Sequence, residues 1–293
     1  MRSAALRLSL FVFLSPFLSV ILHPAVSADD DRVPSPVFSV ARGQFAEPFE
    51  LRLSAPGEGM AVRYTLDGSE PSEDPPNGEL DHGLPVVLPV RQTSSVRAIA
   101  VDPNGLTSGV VTHSYVFPRQ TLHQSAPDAP HPEWGHSGAD WEVDPDIVDH
   151  RDGDSRLEAT HLLSLPVLYL ALPFDAVWGE QGIYIEGEGD PRPTSVELLN
   201  PGANAVDPNA IPGLQVPATV EITGGSSTHR WKTDKLSLRL KFHHEAEFPV
   251  FDHATAGMAG GFKPARRFHT LVLDARLNES WTHPSGKQRE QAQ

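Results

Sequence analysis

Apolar and polar residues alternate with a period of two in run after run of this sequence, and that alternation limits what it can fold into more than any other feature. Phe49–Leu53, Val62–Leu66 and Val96–Val101 each place successive side chains on opposite faces, the signature of half-buried strands. Val86–Leu88 and Val110–Phe117 supply two further strands. Between them stand Ala55-Pro56-Gly57, Asp67-Gly68-Ser69 and Asp102-Pro103-Asn104-Gly105, turns in which proline presets φ and glycine accepts a positive one. Short strands at this spacing predict an antiparallel sandwich. The 28 prolines and 23 glycines among 293 residues disfavour a helical bundle, because both weaken helix interiors. A hydrophobic share of 39% supplies real cores and excludes wholesale disorder.

Charge and targeting narrow the function. With 23 Lys+Arg against 38 Asp+Glu the formal net charge is −15, which argues against a nucleic-acid partner, since phosphate backbones call for clustered cations. The absence of cysteine excludes disulfide partners, thiolate zinc sites and a cysteine nucleophile. Arg2 and Arg7 precede an apolar run, Leu8–Leu22, followed by Ala25-Val26-Ser27-Ala28. That order predicts a secretory signal over residues 1–28, cleaved after Ala28. Two arginines and no acid leave with it, taking the net charge to −17. No later run is long enough to span a membrane, so the mature chain is expected to be secreted, periplasmic or held at the cell surface.

One run carries a resemblance. Val62-Arg63-Tyr64-Thr65-Leu66-Asp67-Gly68-Ser69-Glu70-Pro71, then Val96-Arg97-Ala98-Ile99-Ala100, then Gly105 through Tyr115, is similar to the chitobiase/β-hexosaminidase C-terminal type of β-sandwich domain. The resemblance implies an immunoglobulin-like antiparallel sandwich over residues 33–118, a module without catalytic groups that accompanies carbohydrate-active or cell-surface proteins. Its partner would be a cell-wall or surface glycan or a protein. Asp67, Gly68, Ser69 and Pro71 read as a structural turn, the two side chains bonding the backbone while Gly68 turns left-handed. Tyr64 is the candidate for stacking on a sugar, although alternation places it equally well in the core.

Residues 119–160 read as an acidic linker. Between 126 and 158 there are ten acids and two bases, a net of −8, with four prolines and three histidines. Asp152-Gly153-Asp154 fails as an EF-hand, because Val148, His150 and Ala159 occupy ligand positions. The histidines His131, His136 and His150 follow no zinc spacing. No metal site is expected.

Beyond Thr160 the pattern is β-rich again. From Lys235 to Phe242 the leucines and Phe242 face one way, while Lys235, Ser237, Arg239 and Lys241 face the other. His229–Lys241 holds five bases and one acid, the clearest positive cluster in an acidic chain. Leu165-Pro166-Val167, Gly182-Ile183-Tyr184, Pro191–Leu198, Ile222–Ser227, Lys235–Phe242, Pro249-Val250-Phe251 and Phe268–Asp274 come in the order of the CotH spore-coat kinase family, whose N-terminal part residues 161–293 resemble. The resemblance implies an incomplete, β-rich, kinase-like N-lobe whose metal-binding aspartates would follow residue 293. Lys235, Arg239 and Lys241 are then the candidates for a nucleotide phosphate. Ser285-Gly286-Lys287-Gln288 fits a capping box opening a helix with no stop signal, so the chain is expected to end inside an element.

Other signatures fail: there is no phosphate-binding glycine loop ending in Gly-Lys-Ser/Thr and no nucleophile elbow. His243-His244 in a strand would face opposite ways, which opposes shared metal ligation. The expectation is an exported, mainly β, non-catalytic module joined to an incomplete kinase-like region, with no catalytic residue and no cofactor of its own. The alternative is a secreted atypical protein kinase, using ATP and Mg²⁺, with its catalytic part beyond residue 293.

Overall fold

The alternating runs do form strands. The computed structural model describes residues 33–82, 85–124, 143, 145–148, 157–186, 189–199, 213–224, 236–247 and 265–274. Residues 1–32, with the expected cleavage position Ala28, most of the acidic segment, Lys235 and the terminal Ser285–Gln293 lie outside the described residues. The chain is mainly β, with several antiparallel sheets and no barrel.

The first ten strands are β1 (Val37–Phe38), β2 (Gly43–Gln44), β3 (Phe49–Ser54), β4 (Ala61–Thr65), β5 (Ser72–Glu73), β6 (Pro76–Asn77), β7 (Glu79–His82), β8 (Val86–Val90), β9 (Ser94–Val101) and β10 (Val111–Val116). A three-stranded sheet, β1-β3-β8, packs on a five-stranded sheet, β2-β10-β9-β4-β7, whose pairs are antiparallel except β2 with β10. Leu51 and Leu53 from one sheet meet Val62, Val96, Ala98 and Tyr115 from the other, all at most 2% exposed. Phe45 and Phe49 close this core around Tyr115, with ring centroids 5.7 and 5.2 Å from it. Burying each such side chain is worth about 1.5–3 kcal/mol, so the period-2 apolar set dictates which face turns inward.

Three helical turns follow, α1 (Pro118–Thr121), α2 (Pro145–Val148) and α3 (Ala159–Leu163). Then come β11 (Val167–Ala171), α4 (Phe174–Trp178), α5 (Ile183–Glu186), β12 (Arg192–Leu199), β13 (Leu214–Ile222), β14 (Leu238–Glu247) and β15 (Arg267–Leu273). The five strands form one antiparallel sheet in chain order. Cross-strand pairing puts Leu170, Val196, Val216, Val220, Leu240 and Leu271 on a single face. Ile183 and Val177 from the two helices pack against that face.

One local expectation changes. Residues around Trp178 and Gly182–Glu186 carry a β-like pattern, yet they form α4 and α5. Pro173 at the N-cap starts the first of these turns, and a Cβ on Gly182 would lie 2.4 Å from the Val177 carbonyl oxygen, so glycine alone permits the tight reversal between them. His243 and His244 are both exposed on β14, beside a register shift between Lys241 and Ala246 in its pairing with β15.

Candidate functional site

Three places in the structure hold the residues singled out above. The first is the turn after β4. Gly68 has φ of +82°. The Asp67 carboxylate accepts hydrogen bonds from the Ser69 amide at 2.9 Å and from its hydroxyl at 2.6 Å. These bonds, the hydroxyl first, hold Asp67 below the ordinary carboxylate range. Asn77 donates to the Ser69 hydroxyl and to the Glu70 carbonyl, fastening the turn to β6. Pro71 is buried just after the turn, ahead of β5. Tyr64 is 6% exposed, its ring among the core residues and its hydroxyl donating to Glu79 at 2.6 Å. Burial, then that bond, raises its phenol to about 12. A shallow groove of about 220 Å³ runs past Tyr64, Asp67, Ser69, Asn77 and Glu79. Along it Tyr64 bonds Glu79, and Ser69 bonds Asp67 and Asn77.

The second place is the open part of the second sheet. Arg239 donates to Glu221 at 2.9 Å and also to Thr223, and Lys241 lies 2.7 Å from the same Glu221 oxygen. Lys241, then Arg239, hold the Glu221 carboxyl down although its side chain is only 4% exposed. Two of the three cations nominated for a phosphate therefore share one carboxylate of their own sheet.

The third place was not nominated. The outer face of the sandwich, away from its core, carries Ser95 and Arg97 on β9 directly opposite Ser114 and Thr112 on β10. All four are buried. What buries them is the polar face of the second sheet, where Tyr169, Glu197 and Gln215 stand in one cross-strand row and Ala171, Ser195 and Pro217 in the next. Ser95 and Tyr169 share a hydrogen bond. The Thr112 amide donates to the Gln215 side chain at 3.0 Å, and that side chain donates back to the Val110 carbonyl. Ser114 donates to Glu197 Oε2. Gln44 donates to the Leu165 carbonyl at 2.7 Å. Two sheets, each with its larger apolar core on the far side, thus meet through a seam of hydrogen-bonded polar side chains, with Ile99 and Val101 on the one face and Ala171 and Leu199 on the other.

Glu197 sits at its centre with no exposed side-chain surface. The Arg42 guanidinium lies 3.3 Å from Oε1 but is not aligned to hydrogen-bond it, so Oε1 has no hydrogen-bond donor among the described residues. Burial raises the carboxyl to about 7, and Arg42 and Ser114 only partly offset it. Ser195 Oγ, Thr112 Oγ1 and Arg97 Nε likewise lack partners among the described residues. Arg97 spends its other nitrogens on the Gly68 carbonyl and on Glu70. Glu197 and Glu221 share one face of the same sheet and are pushed in opposite directions. The first is roofed by another sheet, and the second is flanked by two cations.

Residues 51–115 match the family described as Fn3 associated. No curated protein matches the chain. The matched segment runs from β3 into β10, and therefore holds the larger part of the sandwich together with Ser95, Arg97, Thr112 and Ser114 of the seam. The Fn3-associated segment is a β-sandwich-type module, and this agrees with the strand-and-turn reading of the sequence. Among the described residues no group of three or more His, Cys, Asp or Glu is placed to hold a metal ion. No helix among them is long and apolar enough to cross a membrane.

The seam was hidden from sequence reasoning because Ser195-Val196-Glu197-Leu198 reads as an ordinary half-buried strand with its polar side in water. One signal was available: β9 alternates apolar residues with Ser95 and Arg97, and β12 alternates them with Ser195 and Glu197, so their polar sides are complementary in charge.

Proposed function

We propose that the chain is an exported, non-catalytic β-sandwich module, of the chitobiase C-terminal type, carried on the first part of a CotH-kinase-like region of a larger cell-surface protein. Its partner is a cell-wall or surface glycan, or a protein. The observation that carries this reading is the Fn3-associated match on a closed sandwich whose turn polar groups bond one another. The nominated cations Arg239 and Lys241 share Glu221 as an ion-pair partner within the sheet, which supports a structural role for them.

Two measurements on the purified chain test it. Calorimetric titration with Mg-ATP should give no heat of binding, and saturable binding lost in Arg239→Ala would overturn the non-catalytic reading in favour of a secreted kinase. A cell-wall glycan array or pull-down should retain the chain. Retention unchanged when Asp67→Ala and Asn77→Ala open the groove would place the contact elsewhere on the surface. A chain retained by no glycan and no wall protein would overturn the surface-module reading.

A further inference from the structure

The seam buries a carboxyl group where few partners can satisfy its charge. An ionised carboxylate offers about four acceptor positions. Glu197 has two donors, the hydroxyl and the amide of Ser114, and one misaligned cation, Arg42. Arg97, the other cation facing it, is committed to Gly68 and Glu70. On its own sheet its lateral neighbours are Tyr169 and Gln215, and neither brings charge. Parting the two sheets would return the carboxylate to water, at the cost of baring the apolar side chains on the same faces, Ile99 and Val101 beside Arg97 on β9 and Ala171 and Leu199 beside Glu197. The ionised form therefore favours an opened seam and the neutral form a closed one.

The groups around it leave this response undisturbed. Arg42 on the β1–β2 connection and Arg97 on β9 are drawn down by burial yet remain cationic near neutrality. Tyr115 on β10 and Tyr169 on β11 are both raised, burial being the larger cause, and stay neutral there. His113 on β10, beside Arg42, is lowered to about 4 by burial first and by that cation second, so it too is uncharged. Among the described groups facing the seam, Glu197 is the one whose charge changes between mildly acidic and mildly alkaline conditions.

We propose that Glu197 is a proton-operated fastener between the sandwich and the second sheet, which tightens on mild acidification and loosens on alkalinisation. On the reading proposed above, that the chain is exported, the relative freedom of the two parts would follow external pH.

The Thr112 amide reads the seam directly, because its hydrogen bond crosses to Gln215. Hydrogen exchange of the full chain is measured at pH 5.5 and 8.5 and corrected for the intrinsic pH dependence of exchange. A carboxyl at about 7 in the closed seam and about 4.5 in the open one predicts roughly thirtyfold greater protection of Thr112 at the lower pH. Glu197→Gln should abolish that difference. Equal protection at both pH values, the reverse order, or the same change in Glu197→Gln would overturn the proposal. So would an equal change at the Leu51 amide in the sandwich core, which would mark whole-chain unfolding. A ¹³C-carboxyl titration of the unaltered protein gives an answer even if the variant does not fold: a Glu197 midpoint near 7 supports the fastener, and one below 5 overturns it.

Discussion

Gly68→Ala measures the contact between the sandwich and the second sheet. Gly68 and Gly105 have almost the same backbone conformation, φ of +82° and +83°. An added methyl at Gly105 would have nothing within 4 Å. At Gly68 it would stand 2.5 Å from the Leu172 carbonyl oxygen, in the connection that follows β11. Gly105→Ala therefore carries the conformational cost alone, about 1–2 kcal/mol for a left-handed residue. Gly68→Ala adds a steric term. An ordinary carbon–oxygen contact is roughly 3.3–3.6 Å, so one backbone must move by close to 1 Å. Relief of such overpacking costs about 1–3 kcal/mol. The expected losses are about 1–2 kcal/mol for Gly105→Ala and about 2–5 kcal/mol for Gly68→Ala. Urea unfolding of the two variants beside the parent measures both, read by intrinsic fluorescence and far-ultraviolet circular dichroism. Equal losses would mean that the turn does not abut Leu172, and the packing of the two sheets through it would be refuted.

Further expectations follow from the same geometry. Tyr64→Phe should cost about 0.5–1.5 kcal/mol through its lost bond to Glu79, and the tyrosine titrating near 12 should vanish from the ultraviolet pH difference spectrum. Leu240→Ala, at a site with no exposed surface, should cost about 2–5 kcal/mol in urea; a loss under 1 kcal/mol would disprove its place in the core of the second sheet. Glu221→Gln should cost about 1 kcal/mol at neutral pH, a modest figure because Arg239 and Lys241 are 33% and 48% exposed. Since Glu221 is held below its ordinary value, its contribution is present above about 4.5 and lost as pH falls further, so the variant should show a flatter acid limb in a stability–pH profile. Glu197 has the opposite sign: its raised carboxyl weakens the fold increasingly from about 4.5 to 7, and Glu197→Gln should gain stability relative to the parent at pH 8.5.

Much of the architecture was legible because alternation reports the inward face of any strand with one wet side. β3, β4, β9 and β10 fall within two residues of the runs that predict them, and the Asp67-Gly68-Ser69 turn has the hydrogen bonds its residue types favour. β5, β6 and β7 were not, since Pro75, Pro76 and Gly78 look like punctuation and the pairing they allow is set by Arg63 reaching Glu73 and the Gly78 carbonyl. β13 runs from Leu214 to Ile222 through Pro217, the residue that argues against a strand, which pairs with Ser195. Alternation breaks down wherever both faces are buried, as along β12, because a polar side chain then reports a neighbouring sheet as readily as it reports water. That is why Arg239 and Lys241 stood out in the sequence and Glu197 did not.

The polar seam also bears on how a sandwich of this kind can be inherited. A module whose neighbour grips it through apolar side chains turns insoluble when severed, and its boundary is therefore hard to recombine. Here a break after Phe117 would bare two faces that mix polar with apolar groups, one presenting Arg42 and Ser114 beside Ile99 and Val101, the other Glu197 and Gln215 beside Leu199. Arg42 would simply exchange its buried anion for solvent. Shuffled into a new setting, the same face would arrive with an unmatched guanidinium, and a recipient sheet with an acid at the facing position would be favoured over one without it.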